Sequence, residues 1–173
     1  MDLRTSDGLI PTLRGTYASF SYQFYKRKYL IGATGRLIIT AASHPRSIEV
    51  RRRWNARPQE GVWWHVITPN RLKLKPTVRH HNVRRLRDAF GEELAARNLN
   101  RTTGTPLTKD AVPLSGTVYF LINPKFLTLS YAEIRRDCGT AIDSIVRNQD
   151  AQQPDNRRRS RVLQALGVLE GHE

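Results

Sequence analysis

The residues that could do chemistry in this sequence are concentrated in a few basic clusters. The densest is RRRWNARPQEGVWWHV, which holds Arg51, Arg52, Arg53, Trp54, Arg57, Trp63, Trp64 and His65. All 3 tryptophans of the chain lie in it, interleaved with arginines. A nucleic-acid surface needs this mixture, because guanidinium groups neutralise phosphate while an aromatic face stacks on a base. Adjacent residues of a strand point to opposite faces, so at least one of Trp63 and Trp64 is expected in the core.

The second cluster is RHHNVRRLR, with Arg79, His80, His81, Arg84, Arg85 and Arg87. On a helix, Val83 and Leu86 would face inward while the arginines meet a phosphate backbone. Further cations stand at Lys26, Arg27 and Lys28, at Arg71, Lys73 and Lys75, and at Arg157, Arg158 and Arg159. These, with Arg51, Arg52, Arg53, Trp54, Arg57, Trp63 and the second cluster, make up the expected nucleic-acid-binding set.

Catalytic chemistry finds less to work with. His80 and His81 are neighbours, and neighbouring helical residues point ~100° apart, so the pair cannot chelate one metal as His at i and i+4 would. No HExxH, GxSxG or Walker-A spacing is present, and Gly32-Ala33-Thr34-Gly35-Arg36 lacks the phosphate-loop pattern. Between Gly8 and Arg87 the only acids are Glu49 and Glu60, which argues against the carboxylate cluster of a metal-dependent nuclease. No catalytic residue, metal ligand or cofactor is therefore assigned. A metal-independent nuclease using His80 or His81 with nearby arginine is the alternative reading.

Charge distribution gives these clusters their context. The 173 residues carry a formal net charge of +14. Met1 to Phe90 hold 18 Lys/Arg against 5 Asp/Glu, a net of +13, whereas Gly91 to Glu173 hold 11 against 10, a net of +1. Arginine outnumbers lysine 23 to 6, a bias towards the side chain that grips phosphate bidentately. Self-repulsion of this size calls for a polyanionic partner. RNA is preferred over DNA because no duplex-reading motif is recognisable. Other proteins of an assembly are possible partners, and an acidic protein or membrane surface is a second alternative. The single cysteine, Cys138, excludes an internal disulfide, and the N-terminus lacks the apolar run of a signal peptide. No apolar stretch approaches a membrane span. The expectation is an intracellular, non-secreted protein.

Positioning elements follow from periodicity. Residues 1–15 read as an N-terminal arm. Ala18, Phe20, Tyr22 and Phe24 alternate with polar residues, as in a half-buried strand. Leu37 to Thr40 and Ser47 to Trp54 read as further strands, the latter with Ile48 and Val50 facing one way. Val62 to Thr68 is a strand by composition, and Leu72 and Leu74 alternate with Arg71, Lys73 and Lys75 to leave one cationic face. From Val78 to about Asn98 the period becomes helical, with Thr77 or Asn82 as the cap. Asn98 to Leu114 reads as a long polar loop, of the kind that is functional or mobile, and Gly116 to Ile122 as a central strand. Ser130 and Glu133 form a capping-box pattern ahead of a second helix with an Ile134, Cys138, Ala141, Ile142, Ile145 and Val146 stripe. Gln149 to Asn156 is a linker, and Arg157 to Leu169 a terminal helix.

The predicted fold is α+β: an N-terminal, mostly antiparallel sheet with two main helices packed on it and a short C-terminal helix. The domain spans 16–148, with its basic surface mainly at 26–90, and 149–173 form the linker and terminal helix. RRM, KH and zinc-finger signatures are absent. The stretch Val62 to Pro106 resembles a strand-to-helix passage in plasmid relaxases, but it covers a quarter of the chain. The metal-binding histidine cluster of those enzymes is missing, so no residue role is carried over. The expected function is RNA binding, without catalysis, as a component of a ribonucleoprotein or nucleic-acid particle.

Overall fold

Alternating apolar residues in three segments build the sheet that everything else rests on. In the computed structural model, which describes residues 11–26, 45–56 and 60–151, β1 (Leu13–Thr16), β2 (Phe20–Tyr25), β3 (Val62–Ile67) and β4 (Gly116–Ile122) form a mixed sheet in the order β1-β2-β4-β3. β1 and β2 pair antiparallel, as do β2 and β4, whereas β3 and β4 run parallel. Parallel neighbours need a crossover, and α2 (Pro76–Ala95) lies in that connection. A shorter helix, α1 (Ser47–Asn55), precedes β3, and α3 (Tyr131–Ala151) follows β4.

Register places one apolar row from each inner strand on the helix side. Phe24, Tyr22 and Phe20 of β2 stand opposite Val118, Phe120 and Ile122 of β4, and Trp64 and Val66 of β3 stand opposite Val118 and Phe120. Onto this row α2 brings Leu86, Ala89, Phe90 and Leu94, and α3 brings Ile134, Cys138, Ala141, Ile142 and Ile145. Phe120 is the hub, meeting Phe20 at 5.1 Å and Phe90 at 4.9 Å between ring centroids, both edge-on. Such pairs add to the burial that holds the layers together. Cys138 is one of the buried residues of this core, where burial pushes its thiol pKa up and keeps it protonated.

The α+β fold and the central position of β4 agree with the sequence, and local details differ. Leu13–Thr16 is not arm but strand, tied to β2 by the Tyr17 amide donating to the Phe20 carbonyl. Its Gly15 is required: a Cβ there would run into the Tyr22 ring of the neighbouring strand. Consequently Ala18 lies in the turn, exposed, and not in a strand. Ser47–Asn55 is a helix rather than a strand, and Ile48 is 72% exposed instead of facing inward. Its charged run has good helix propensity, and Arg46 meets Glu49 at 3.7 Å with i,i+3 spacing. α2 starts at Pro76 with Lys75 as N-cap; neither Thr77 nor Asn82 caps it, and Asn82 is buried inside the helix. α3 starts as expected: Ser130 donates its amide and hydroxyl to Glu133 Oε2 at 2.8 and 2.7 Å. It runs to Ala151, past the expected linker boundary. The expected strand Leu37–Thr40 and the helix Arg157–Leu169 lie outside the described residues.

The polar connection from Asn98 to Leu114 is built rather than slack. Asn100 Oδ1 accepts from the Thr102 and Thr103 amides, and the Asn100 amide donates to Thr105 O. Leu99 bridges Pro106, and the Val62 amide donates to Thr103 O at 2.7 Å, docking the loop on the start of β3.

Candidate nucleic-acid interface

The helical period decides which cations of α2 can meet a ligand. Leu86, Ala89, Phe90 and Leu94 commit one face to the core, and His80, Arg84 and Arg87 fall on a single exposed stripe at i, i+4 and i+7. His81 is exposed beside it. Arg84 is 84% exposed and pairs, among the described residues, only with Asp88, at 3.8 Å. A pair so open to water is worth at most ~1 kcal/mol and leaves the guanidinium available. Lys73 and Lys75 stand exposed just before the helix, while Leu72 and Leu74 between them are half-buried, so burial alternates as expected. The backbone there is a short 3-10 turn, Asn70–Leu72, closed by Lys73 at φ 45°, not a strand.

The start of α2 adds to this field. Its first turn contains no acid, and Lys75 makes no side-chain cap. The amide groups at the positive end of the helix dipole are thus left without an anion of their own, next to Lys73 and Lys75.

Other expected members of the surface are spent elsewhere. Arg85 donates to the Leu129 carbonyl at 3.0 Å and lies 5.5 Å from the Phe126 ring centre, so it braces the approach to α3. Arg79 is half-buried, with its Nε enclosed. Trp63 is buried at 6% exposure, which removes it as a stacking platform. Arg51 and Arg52 are exposed on α1, as is Lys26 after β2. α1 makes no extensive contact with any described helix or strand, so packing does not join Arg51 and Arg52 to the α2 stripe. Arg27, Lys28, Arg57, Arg157, Arg158 and Arg159 lie outside the described residues, as do the side chains of Arg53, Trp54 and Arg71.

Next to the stripe is a feature that charge patterning did not reveal. Trp64, on the helix side of β3, is half-buried and packs against Phe90 at 5.0 Å, with the rings crossing at 61°. Its Nε1 donates to the Thr102 carbonyl at 3.0 Å. It lines an open hollow of about 700 Å³ with Trp63, Arg87, Gly91, Arg101 and the acids Glu60 and Asp88. Gly91 lets the loop approach: a Cβ there would sit 3.2 Å from the Arg101 carbonyl. No periodic signal marks Arg101, because the loop that carries it is organised by Asn100 and not by an apolar face.

The second half of α2 behaves differently. Arg97 donates to Glu93 Oε2 at 3.0 Å and to Asp143 Oδ1, and Arg135 of α3 donates to Glu93 Oε1 at 2.9 Å. Tyr131 donates to Glu92 Oε1. Burial and this carboxylate raise the Tyr131 pKa to about 12. Burial alone would lower the Arg97 pKa, but its bonds to Glu93 and Asp143 outweigh that and raise it.

Acid–base chemistry gains no support from the geometry. His80 and His81 are both exposed, and neither has a hydrogen-bond partner among the described residues to orient a ring nitrogen. No group of three or more metal-ligating side chains occurs among the described residues. Among the same residues no helix is long and apolar enough to cross a membrane. No protein-family model, curated protein or solved structure matches the chain.

Proposed function

We propose that the protein binds RNA through the first turns of α2 and the cations that precede it, as a non-catalytic component of a ribonucleoprotein or nucleic-acid particle. The observation that carries the reading is the exposed stripe of His80, Arg84 and Arg87 on a helix whose first turn has no acid and no side-chain cap. Lys73 and Lys75 extend it. Phosphate contacts position a nucleic acid without reading its sequence, and a helix start with free amides suits an anion. Arg51, Arg52 and Lys26 supply further positive charge to the encounter. RNA is favoured over DNA because the sequence carries no duplex-reading motif.

The test is a salt titration of binding to a labelled single-stranded RNA. Binding should weaken steeply with salt, with a slope of ~0.7 per phosphate contact. Arg84→Ala combined with Arg87→Ala should lower that slope by ~1.4 and the affinity at 0.1 M salt by roughly 20-fold. A wild-type affinity indifferent to salt, or a double variant with unchanged slope, overturns the reading. Tight, salt-sensitive binding to anionic vesicles or an acidic polypeptide in the absence of RNA binding would assign the same cations to a different partner.

A further inference from the structure

We propose that the hollow beside Trp64 seats one base of a single-stranded RNA whose backbone runs along the α2 stripe; this rests on the RNA-binding reading and adds a strand type to it. The stripe does not simply end at Arg87. One turn further on, Gly91 stands at i+11 from His80, on the same face, and lines the hollow together with Arg87. A chain that follows His80 and Arg84 therefore reaches the mouth of the hollow at Arg87.

The lining says which part of the nucleotide enters. Glu60 and Asp88, both exposed, are part of the lining, and carboxylates there repel a phosphate but accept from the exocyclic amino group of a base. The phosphates stay outside, over Arg84 and Arg87. Inside, Trp64 offers an aromatic wall that is only half-buried. Phe90 crosses the indole at 61° instead of stacking on it. The bond from Trp64 Nε1 to the Thr102 carbonyl fixes the ring before any ligand arrives, so little ordering cost remains. Arg101, exposed and without an ion pair or hydrogen bond among the described residues, adds to the lining a planar cation that can stack on a base. At about 700 Å³ the hollow falls in the range of small-ligand pockets. A duplex cannot use it, because its bases are already stacked.

The experiment compares the full chain and its variants on a 12-nucleotide cytidine RNA and on an RNA duplex of the same length. Trp64→Leu should weaken single-strand binding by about 5-fold, the low end of base–aromatic stacking, and leave duplex binding unchanged. Trp64→Phe should restore most of the single-strand affinity. Arg101→Ala, on an exposed side chain, gives the same selective loss without disturbing the core. It keeps the test decisive if Trp64→Leu does not fold. Cytidine monophosphate should shift the Trp64 indole resonance, assigned through Trp64→Phe, more than the other indoles. Equal losses on both RNAs, or unchanged single-strand binding by Arg101→Ala with an unmoved indole signal, overturn the inference. If that happens while the wild type keeps its steep salt slope, RNA binding stands and only the base site falls. If the wild type binds neither RNA, both fall.

Discussion

The first three turns of α2 and the seam between α2 and α3 contain the same kinds of residue and put them to opposite uses. At the seam every charge has a partner: Glu93 is shared by Arg97 and Arg135, Glu92 accepts from Tyr131, and Asp143 takes the other side of Arg97. Ser130 and Glu133 then satisfy the free amides at the start of α3. In the first turns of α2 there is no acid, no side-chain cap, and an exposed stripe of His80, Arg84 and Arg87 in which Arg84 meets only the loosely held Asp88 among the described residues. The difference separates charge that contributes to folding from charge that folding leaves unused. The +13 of residues 1–90 is therefore only in part a surface: Arg85 is already engaged with Leu129 and Phe126.

The largest effect should come from the seam. Arg97→Ala removes donors from Glu93, Asp143 and the Gly139 carbonyl at once. Hydrogen bonds to charged groups contribute about 1.5–3 kcal/mol each way they are counted, so unfolding free energy should drop by about that much. For a domain of this size the midpoint temperature should fall by about 5–10 °C. Arg84→Ala should stay within ~0.5 kcal/mol of wild type, as expected of an open surface site. RNA affinity should show the reverse order, falling for Arg84→Ala and holding for Arg97→Ala. Equal destabilisation by the two substitutions would erase the contrast between the regions.

The sequence makes the two regions unequally legible. β2, β4, α2 and α3 were readable because their burial is periodic and local: Phe20, Tyr22 and Phe24 alternate, and Ile134, Cys138, Ala141 and Ile145 recur at helical spacing. The Ser130–Glu133 cap was readable because both partners lie within four residues. β1 is not, since its four residues, Gly15 among them, are too few to show a period, and their strand character comes from pairing with β2. α1 departs from the expected strand because Ile48 and Val50 imitate period 2 over too short a window, while the run Arg51 to Arg53 favours a helix. For the site, the exposed cations of α2 followed from the helical wheel. Arg85 and the hollow did not, because their partners, Leu129, Phe126 and the Asn98–Leu114 loop, are distant in the chain.

A smaller effect should separate the two helix starts. Ser130→Ala removes a capping hydroxyl and should cost about 1 kcal/mol. The same cap predicts a pH dependence. Hydrogen bonds from the Ser130 hydroxyl and amide hold the Glu133 pKa below its ordinary 4.5. A carboxylate lowered by folding contributes stability above its unfolded pKa, and that contribution is lost as pH falls through the lower, folded value. Thermal unfolding measured from pH 7 down to 3 should therefore show the gap between wild type and Ser130→Ala narrowing below about pH 4.5, without closing, because the bond from the Glu133 amide to the Ser130 hydroxyl does not titrate. A gap that stays constant across the series would mean that the ionised Glu133 carboxylate is not part of the difference.

The smallest substitution in energy is the most diagnostic, because its two effects have opposite signs. Lys75 occupies the N-cap of α2 with φ −57° and ψ 146°, an extended backbone from which a short acid can reach the amides of Thr77 or Val78. Lys75→Asp should supply the missing cap and an anion at the positive end of the dipole, raising stability by about 0.5–1 kcal/mol. If α2 binds RNA as proposed, it should at the same time weaken RNA binding and reduce the salt slope by ~0.7 or more, since a cation is replaced by a charge that repels phosphate. Lys75→Gln separates the two effects, losing affinity without gaining the cap. A start that merely happens to be uncapped would gain stability in Lys75→Asp and lose no RNA. That result would place the polyanion elsewhere than the first turns of α2, whereas a joint gain in stability and loss of binding ties the unused charge of this helix to its ligand.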